Sequence, residues 1–346
     1  MHNKKTTIYD IAKEAGVSTA TVSRVLSKSG YPVKEQTRKK ILDAVETLNY
    51  EPNIIGRMLK KNDSMDIGVI IPTISNPFYP EMVLGVEQEA RLKGFNNLLC
   101  NSFRDAATER KYIETLYQKQ VKGIIISSIG ENYKFLEIMQ EKGIKIVTID
   151  QDIEGMKCSK VGFDYIKGGL IATEYLIEQG HNNITFVTSP LNRKSRRDAF
   201  EGYKLGLSKN GIPFNENNVI VSEKEEEYEN ATYEFENGRY LAKRFMQIRN
   251  GSTAIFAVND MTAFGIIQEL LGNGVKVPEE VSVVGFDNIE VSSMVSPPLT
   301  TVNQPAFETG KLACRILLHS LEGNGYEDTS IILEPSLVIR SSVAKI

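Results

Sequence analysis

Through the first fifty positions the apolar residues recur at three- and four-residue steps. Beyond them they gather into short unbroken runs separated by longer helical patterns. Ile8, Ile11, Ala12 and Ala15 stripe one face of a first helix, and Gly16 ends it, where a glycine can take the left-handed backbone. Ser18 caps a second helix, on which Val22, Val25 and Leu26 face inward and Thr19, Ala20, Ser23 and Arg24 face out. A third helix over residues 33–50 carries Ile41, Leu42, Val45 and Leu48 as its inner stripe and Lys34, Arg38, Lys39 and Lys40 as its basic outer surface. Three short helices make a small bundle whose own core is marginal.

From residue 66 the texture changes. Strands are expected over 66–72, 97–101, 123–127 and 145–150, with helices over 79–93, 107–119 and 133–142 between them. The pattern restarts at Asp164 with a helix to 179. Strands over 184–188, 218–221, 254–258 and 281–286 then alternate with helices over 196–210, 235–248 and 261–272. A late helix over 305–321 and two strands (330–333 and 336–339) close the pattern. Buried strands alternating with helices make parallel sheets, and two such runs of similar size make two lobes with a cleft between them. The expected organisation is an all-α helix-turn-helix head over 1–50, a hinge helix and linker over 51–63, and a two-lobed α/β body over 64–346. One lobe is expected to take 64–163 with 292–325, the other 164–291 with 326–346.

The hinge begins at Glu51-Pro52-Asn53 and holds a short helix over 54–61, in which Gly56 costs about 1 kcal/mol relative to Ala. Leu59 stands between Arg57 and Lys60. Such a residue suits a wedge pushed into a minor groove, and equally a tether whose Leu packs on the body.

Charge sharpens the division. Of 346 residues, 25% are charged, and the formal net charge is −3. Residues 1–61 hold 12 Lys+Arg against 6 Asp+Glu, leaving 29 against 38 for the rest. A basic head on an acidic body fits a nucleic-acid-binding end joined to something that does not bind nucleic acid. The small, hydroxyl-rich outer face of the second helix, with its single Arg, suits the major groove. Cys100, Cys158 and Cys314 lie far apart and are read as reduced thiols of a cytoplasmic protein, with no metal site and no cofactor. No apolar run approaches a membrane span, and no export segment is read. The three histidines are isolated, and neither a nucleophile motif nor a phosphate-binding loop is present, so catalysis is not expected.

Open α/β sheets bind ligands beyond the carboxyl ends of their strands. That rule gathers 72–78, 102–105, 127–129, Asp150, 189–197, Asn259-Asp260 and Asp287, with Phe78, Tyr79 and Phe286 nearby. Carboxylates and amides gripping hydroxyls, with rings against an apolar face, match sugar recognition. Asp260 has a plainer reading as a helix cap and Asn76 as a turn residue. Asp150 and Asp287 are more telling, because a carboxylate in a cleft needs a partner.

Residues 7–12 (Thr7-Ile8-Tyr9-Asp10-Ile11-Ala12), Val17-Ser18 through Arg24-Val25-Leu26, Pro52-Asn53 and Leu59 resemble the LacI/GalR family of bacterial transcription repressors. The resemblance continues through Asn76-Pro77-Phe78-Tyr79, Ala257-Val258-Asn259-Asp260, Val283-Val284-Gly285-Phe286-Asp287 and Pro298-Leu299-Thr300-Thr301-Val302. It implies a body like the periplasmic sugar-binding proteins, a homodimer on a pseudo-palindromic double-stranded operator, and a small effector, most simply a sugar, between the lobes. It also implies base contacts from Thr19, Ala20 and Arg24, backbone contacts from Thr7, Tyr9, Ser18, Thr21, Ser23 and Asn53, and Leu59 as the minor-groove wedge. It carries over Asn259, Asp287 and Gln304 as effector contacts, and with Asn76, Phe78, Asp105, Asp150, Arg193 and Arg197 from the strand ends these make up the expected effector set. One departure matters: Ala199 stands where many relatives carry a ligand-gripping Arg, and Arg193, Arg196 or Arg197 are the available substitutes. The expected function is a repressor controlled by a small metabolite. The alternatives are a co-repressor-dependent or activating member that answers to a nucleobase or partner protein, and a plain sugar-binding module.

Overall fold

The head's three helices are α1 (Ile8–Glu14), α2 (Thr19–Leu26) and α3 (Glu35–Thr47). They belong to a computed structural model that describes residues 6–26, 31–50, 65–130, 134–150, 157–223, 233–323 and 328–346. The chain divides into two units, residues 1–64 and 65–346. The hinge expected over 51–63, with Asn53 and Leu59, lies outside the described residues.

In the head, Gly16 turns between α1 and α2 at φ +65°, and Ile11, Val22, Val25, Ile41 and Ala44 form the buried centre. The expected inner stripe of α3 is corrected at one position. Leu42 is exposed, and Ala44 takes its place inside. Ile41, Ala44, Val45 and Leu48 are spaced at three and four residues, whereas Leu42 lies one residue, a third of a turn, off that line.

Among the described residues, the body is two six-stranded sheets. The first contains β1 (Asp66–Ile71), β2 (Asn96–Asn101), β3 (Gly123–Ile126), β4 (Lys145–Ile149), β5 (Ser159–Phe163) and β11 (Ser330–Leu333), in the order β11-β5-β4-β3-β1-β2. The second contains β6 (Ile184–Thr188), β7 (Val219–Val221), β8 (Ala254–Ala257), β9 (Ser282–Asp287), β10 (Thr300–Asn303) and β12 (Ser336–Val338), in the order β12-β10-β9-β8-β6-β7. Pairings are parallel except for β10 with β12. Helices α4 (Phe78–Leu92), α5 (Ala106–Gln118), α6 (Lys134–Glu141) and α11 (Ala306–Leu321) cover the first sheet. Helices α7 (Tyr165–Glu178), α8 (Lys194–Lys209), α9 (Tyr233–Ile248) and α10 (Asp260–Gly272) cover the second. Val, Ile and Phe fill the central strands because helices bury both faces of a parallel sheet.

Two strands had no counterpart in the hydrophobic pattern, β5 and β10. Their placement also corrects the expected lobe boundaries. Within 292–325, β10 pairs with β9 in the second lobe, whereas α11 packs on α4 in the first. Within 326–346, β11 pairs with β5 in the first lobe and β12 returns to the second. Among the described residues the chain therefore crosses between the lobes three times, at 163–165, 303–306 and 333–336.

Lys167-Gly168-Gly169 is a packing device. A Cβ on Gly169 would stand 2.2 Å from the Ala199 carbonyl oxygen, and one on Gly168 would stand 2.7 Å from the Phe286 ring. The two glycines let α7 lie against α8 and against the floor of the second lobe, which sets the wall of the cavity described next.

Candidate functional site

The head presents α2. Val22 and Val25 anchor it, which leaves Ala20 and Arg24 exposed and Thr19 and Ser23 half-buried on the outer side. The Thr21 N–H donates to Ser18 Oγ at 3.2 Å, and the two hydroxyls lie 2.9 Å apart, so the cap expected at Ser18 is present. Thr7 donates from its N–H (2.8 Å) and hydroxyl (2.6 Å) to Asp10 Oδ2, fixing the start of α1. Tyr9 is 73% exposed. The Arg24 guanidinium lies 4.4 Å over the ring of Tyr31, a partner that the sequence pattern did not suggest.

In the body, a cleft with about 730 Å³ of empty space, open solvent included, lies between the lobes at the carboxyl ends of both sheets. Strand order reverses between β1 and β3 in one sheet and between β6 and β8 in the other. The loops leaving a reversal diverge and leave a crevice. Asn76, Phe78, Tyr79, Ser127 and Ser128 come from the first reversal, and Arg193, Arg196 and Asn259 from the second. Seven of the nine expected effector residues line this cavity: Asn76, Phe78, Asp150, Arg193, Asn259, Asp287 and Gln304. The other two do not. Asp105 caps α5 by accepting from the Thr108 N–H at 2.7 Å, and Arg197 donates to the carbonyls of Leu191 (3.2 Å) and Asn192 (2.7 Å). Ala199 also lines the wall, with Arg193 and Arg196 beside it. The Arg196 guanidinium holds the preceding loop through Pro190 O (3.0 Å) and Asn192 Oδ1 (3.4 Å).

A polar triad that lines the cavity ties the lobes together. Tyr165 donates to Asp150 Oδ2 at 2.7 Å. The Gln304 amide donates to the same oxygen at 3.3 Å and to the Tyr165 hydroxyl at 2.8 Å. Burial pushes the Asp150 carboxyl up to about 6, and the Tyr165 and Gln304 hydrogen bonds and Lys194 hold it from going higher. Burial, with Asp260, Glu234 and Asp150 nearby, raises the Asp287 carboxyl well above its ordinary range, and Asn76 opposes this. Tyr165 stacks on Phe286 with centroids 5.7 Å apart, and Phe78 meets Tyr79 edge-on at 5.3 Å.

A second tie joins the two lobes. Arg104, beyond β2, pairs with Glu234 on α9, each side chain 4% exposed, and the guanidinium lies 5.4 Å over the Tyr233 ring. Sequence reasoning missed both Glu234 and Tyr165. Glu234 follows Arg104 by 130 positions, and nothing in the local pattern of either residue marks the pair.

Asp260 is corrected. Asn259 is the cap of α10, accepting from the Thr262 N–H at 2.8 Å. Asp260 is buried and takes hydrogen bonds from the Ile289 N–H (3.0 Å), Ser292 (2.5 Å) and Thr301 (2.5 Å). It therefore fixes the chain that leads from β9 to β10. Asn76 keeps the turn role foreseen for it, accepting from the Phe78 N–H at 3.0 Å. His181 is structural: its ring nitrogens meet Thr253 Oγ1 (2.8 Å) and Ala344 O (3.0 Å), and burial pushes its pKa down.

A helix-turn-helix unit joined to two α/β lobes around a polar cavity defines a class: a DNA-binding head coupled to a ligand-binding body. The comparisons with known proteins name the family. Residues 7–53 match the family described as bacterial regulatory proteins, lacI family, and residues 173–343 match the periplasmic binding protein-like domain. The HTH-type transcriptional repressor PurR of Photobacterium profundum is 33% identical over 97% of this chain and 98% of its own length. The lac repressor dimer, bound to operator and the anti-inducer ONPF, superposes with a TM-score of 0.81 at 25% identity, covering 99% of this chain and 100% of that one. A LacI family regulator from Enterococcus faecium with bound ribose superposes with a TM-score of 0.72 at 26% identity, covering 81% of this chain and 99% of that one. The chain belongs to the LacI family of bacterial regulatory proteins. It is a DNA-binding transcription regulator. Among the described residues, no helix is long and apolar enough to cross a membrane.

Proposed function

We propose that this regulator binds a pseudo-palindromic operator as a homodimer in the cytoplasm and releases it when a sugar or sugar derivative occupies the cleft. Arg24 supplies the main polar base contact, with Thr19 and Ala20 against base edges. Thr7, Tyr9, Ser18, Thr21, Ser23 and Asn53 hold the backbone, and Leu59 is the minor-groove wedge. Asn76, Phe78, Asp150, Arg193, Asn259, Asp287 and Gln304 hold the effector. The observation that carries the reading is the cavity itself, with its carboxylates and amides beside aromatic rings at the strand ends of both sheets. The ribose bound in the Enterococcus faecium relative and the dimeric state of the lac repressor support the sugar and the dimer. The coupling is a population shift: a ligand that grips both lobes favours one arrangement of them, and operator affinity follows.

The test is operator binding by the full-length protein, measured by fluorescence anisotropy at several salt concentrations with and without a sugar panel. Affinity falls steeply with salt because phosphate contacts release counterions. Arg24→Ala costs about 1–3 kcal/mol of discrimination between operator and random DNA. Unchanged discrimination would remove α2 from base reading. A sugar that binds the protein but leaves operator affinity the same would remove the allosteric part.

A further inference from the structure

We propose that the effector carries a protonated amine, which makes its class an amino sugar or amino polyol. The proposal rests on the cleft being the effector site. Two carboxylates from opposite lobes line the cavity, each held by one oxygen and unpartnered at the other. Asp150 Oδ2 receives Tyr165 and Gln304, whereas Asp150 Oδ1 is buried and accepts no hydrogen bond among the described residues. Glu234 pairs with Arg104 through Oε1, whereas its Oε2 is likewise buried and accepts none. Glu234 as a whole is 3% exposed. A buried acceptor without a donor is costly, more so when it is charged.

A ligand that would match either atom donates hydrogen bonds and brings positive charge. A neutral sugar hydroxyl donates once and brings none, whereas an ammonium donates three times, and hydrogen bonds between ions are about twice as strong as neutral ones. The charges around the cavity agree. Asp150, Glu234 and Asp287 line it together, and Glu234 and Asp150 both push the Asp287 carboxyl upward. Of the cations, Arg196 is spent on the loop at Pro190 and Asn192, Arg104 on Glu234, and Lys194 on Asp198, from where it also acts on Asp150. Arg193 lines the wall and acts on Tyr79 and Glu109. A phosphate at the Asp150 end would meet like charge. Phe78, Tyr79 and Phe286 remain for the apolar face of a ring.

The experiment is titration calorimetry on the full-length protein near neutral pH with matched probes: glucosamine, galactosamine and mannosamine, their parent hexoses, and the hexose 6-phosphates. The expected result is that at least one amine binds about tenfold or more tightly than its parent hexose. Asp150→Asn and Glu234→Gln, each keeping the shape of its side chain, should each bring the two affinities to within about twofold. Circular dichroism confirms the fold of each variant, and either variant suffices. A parent hexose or 6-phosphate that outbinds its amine, or an amine preference that survives both substitutions, overturns the inference and leaves the cleft reading standing. No binding by any amine also overturns it. Binding of any probe that is indifferent to Phe78→Ala and Asn259→Ala overturns the cleft reading itself.

Discussion

The outer face of α2 and the cleft of the body are both polar sites, but they are built in opposite ways. On α2, five consecutive turn-and-helix positions from Ser18 to Val22 set the whole geometry: a cap, two small outward residues, the threonine that bonds to the cap, and an inward valine. Arg24 follows on the same exposed side. The cleft draws Asn76, Asp150, Tyr165, Glu234, Asp287 and Gln304 from both lobes and buries much of their polar surface. A face that waits for DNA keeps its polar groups in water and costs the fold little. A site inside a protein must satisfy or suppress each charge it encloses. The side chains proposed to read DNA therefore hardly affect stability, whereas several residues that line the cleft are also structural.

Removing Arg104 should break this contrast most visibly. Arg104→Ala leaves Glu234 buried without its cation, and the body should lose about 3–5 kcal/mol in denaturant unfolding, with the head's operator-reading residues untouched. A loss under about 1 kcal/mol would mean the pair is not buried in solution. The next effect is on pH. Burial raises the Asp260 carboxyl to about 6 despite three hydrogen bonds. A carboxyl raised in the folded state stabilises the body fully below the unfolded value near 4 and loses that contribution as pH rises through about 6. Stability therefore declines as pH rises from 4 towards 7, with the neighbouring Asp287 acting in the same direction, and Asp260→Asn should flatten part of the decline in melts followed across that range.

The head responds on a smaller scale. Ser18→Ala removes the oxygen that caps α2 and should cost about 1 kcal/mol of helix stability, seen as faster amide exchange in α2 while the body's exchange is unchanged. The smallest effect is at Tyr31. Tyr31→Ala takes away the ring beneath Arg24 and should weaken operator binding by about 0.5–1 kcal/mol, less than Arg24→Ala does, with body stability unaltered. If Tyr31→Ala matched Arg24→Ala, the ring would be a DNA contact in its own right.

Legibility divides along the same line. The head was readable almost in full because a capped helix pair with a glycine turn is specified by neighbours within four residues. Leu42 escaped because its own hydrophobicity suggested burial that the helical period denies it. In the body, β5 and β10 were not seen. Ser159-Lys160-Val161-Gly162-Phe163 and Thr300-Thr301-Val302-Asn303 lack a continuous apolar run, and the sheet buries them regardless. Thr300 and Thr301 are 0% exposed because neighbouring strands cover them and Asp260 and Ser342 satisfy their polar groups.

The same limit applies to the cleft. The rule that ligands sit beyond strand ends brought six of the seven lining residues to one cavity, because most strand ends are visible in the hydrophobic pattern, whereas Gln304 follows the unseen β10 and came from the family resemblance. It also admitted Asp105 and Arg197, which stand on the right loops with their side chains committed elsewhere. Sequence by itself determined the basic head, the alternation of strand and helix and the outward face of α2, all of which depend on residues close together in the chain. Tertiary structure alone decided the three crossings between lobes, the Asp150–Tyr165–Gln304 triad and the Arg104–Glu234 pair. Those contacts join residues up to 154 positions apart, and their energy comes from burial that no local pattern encodes.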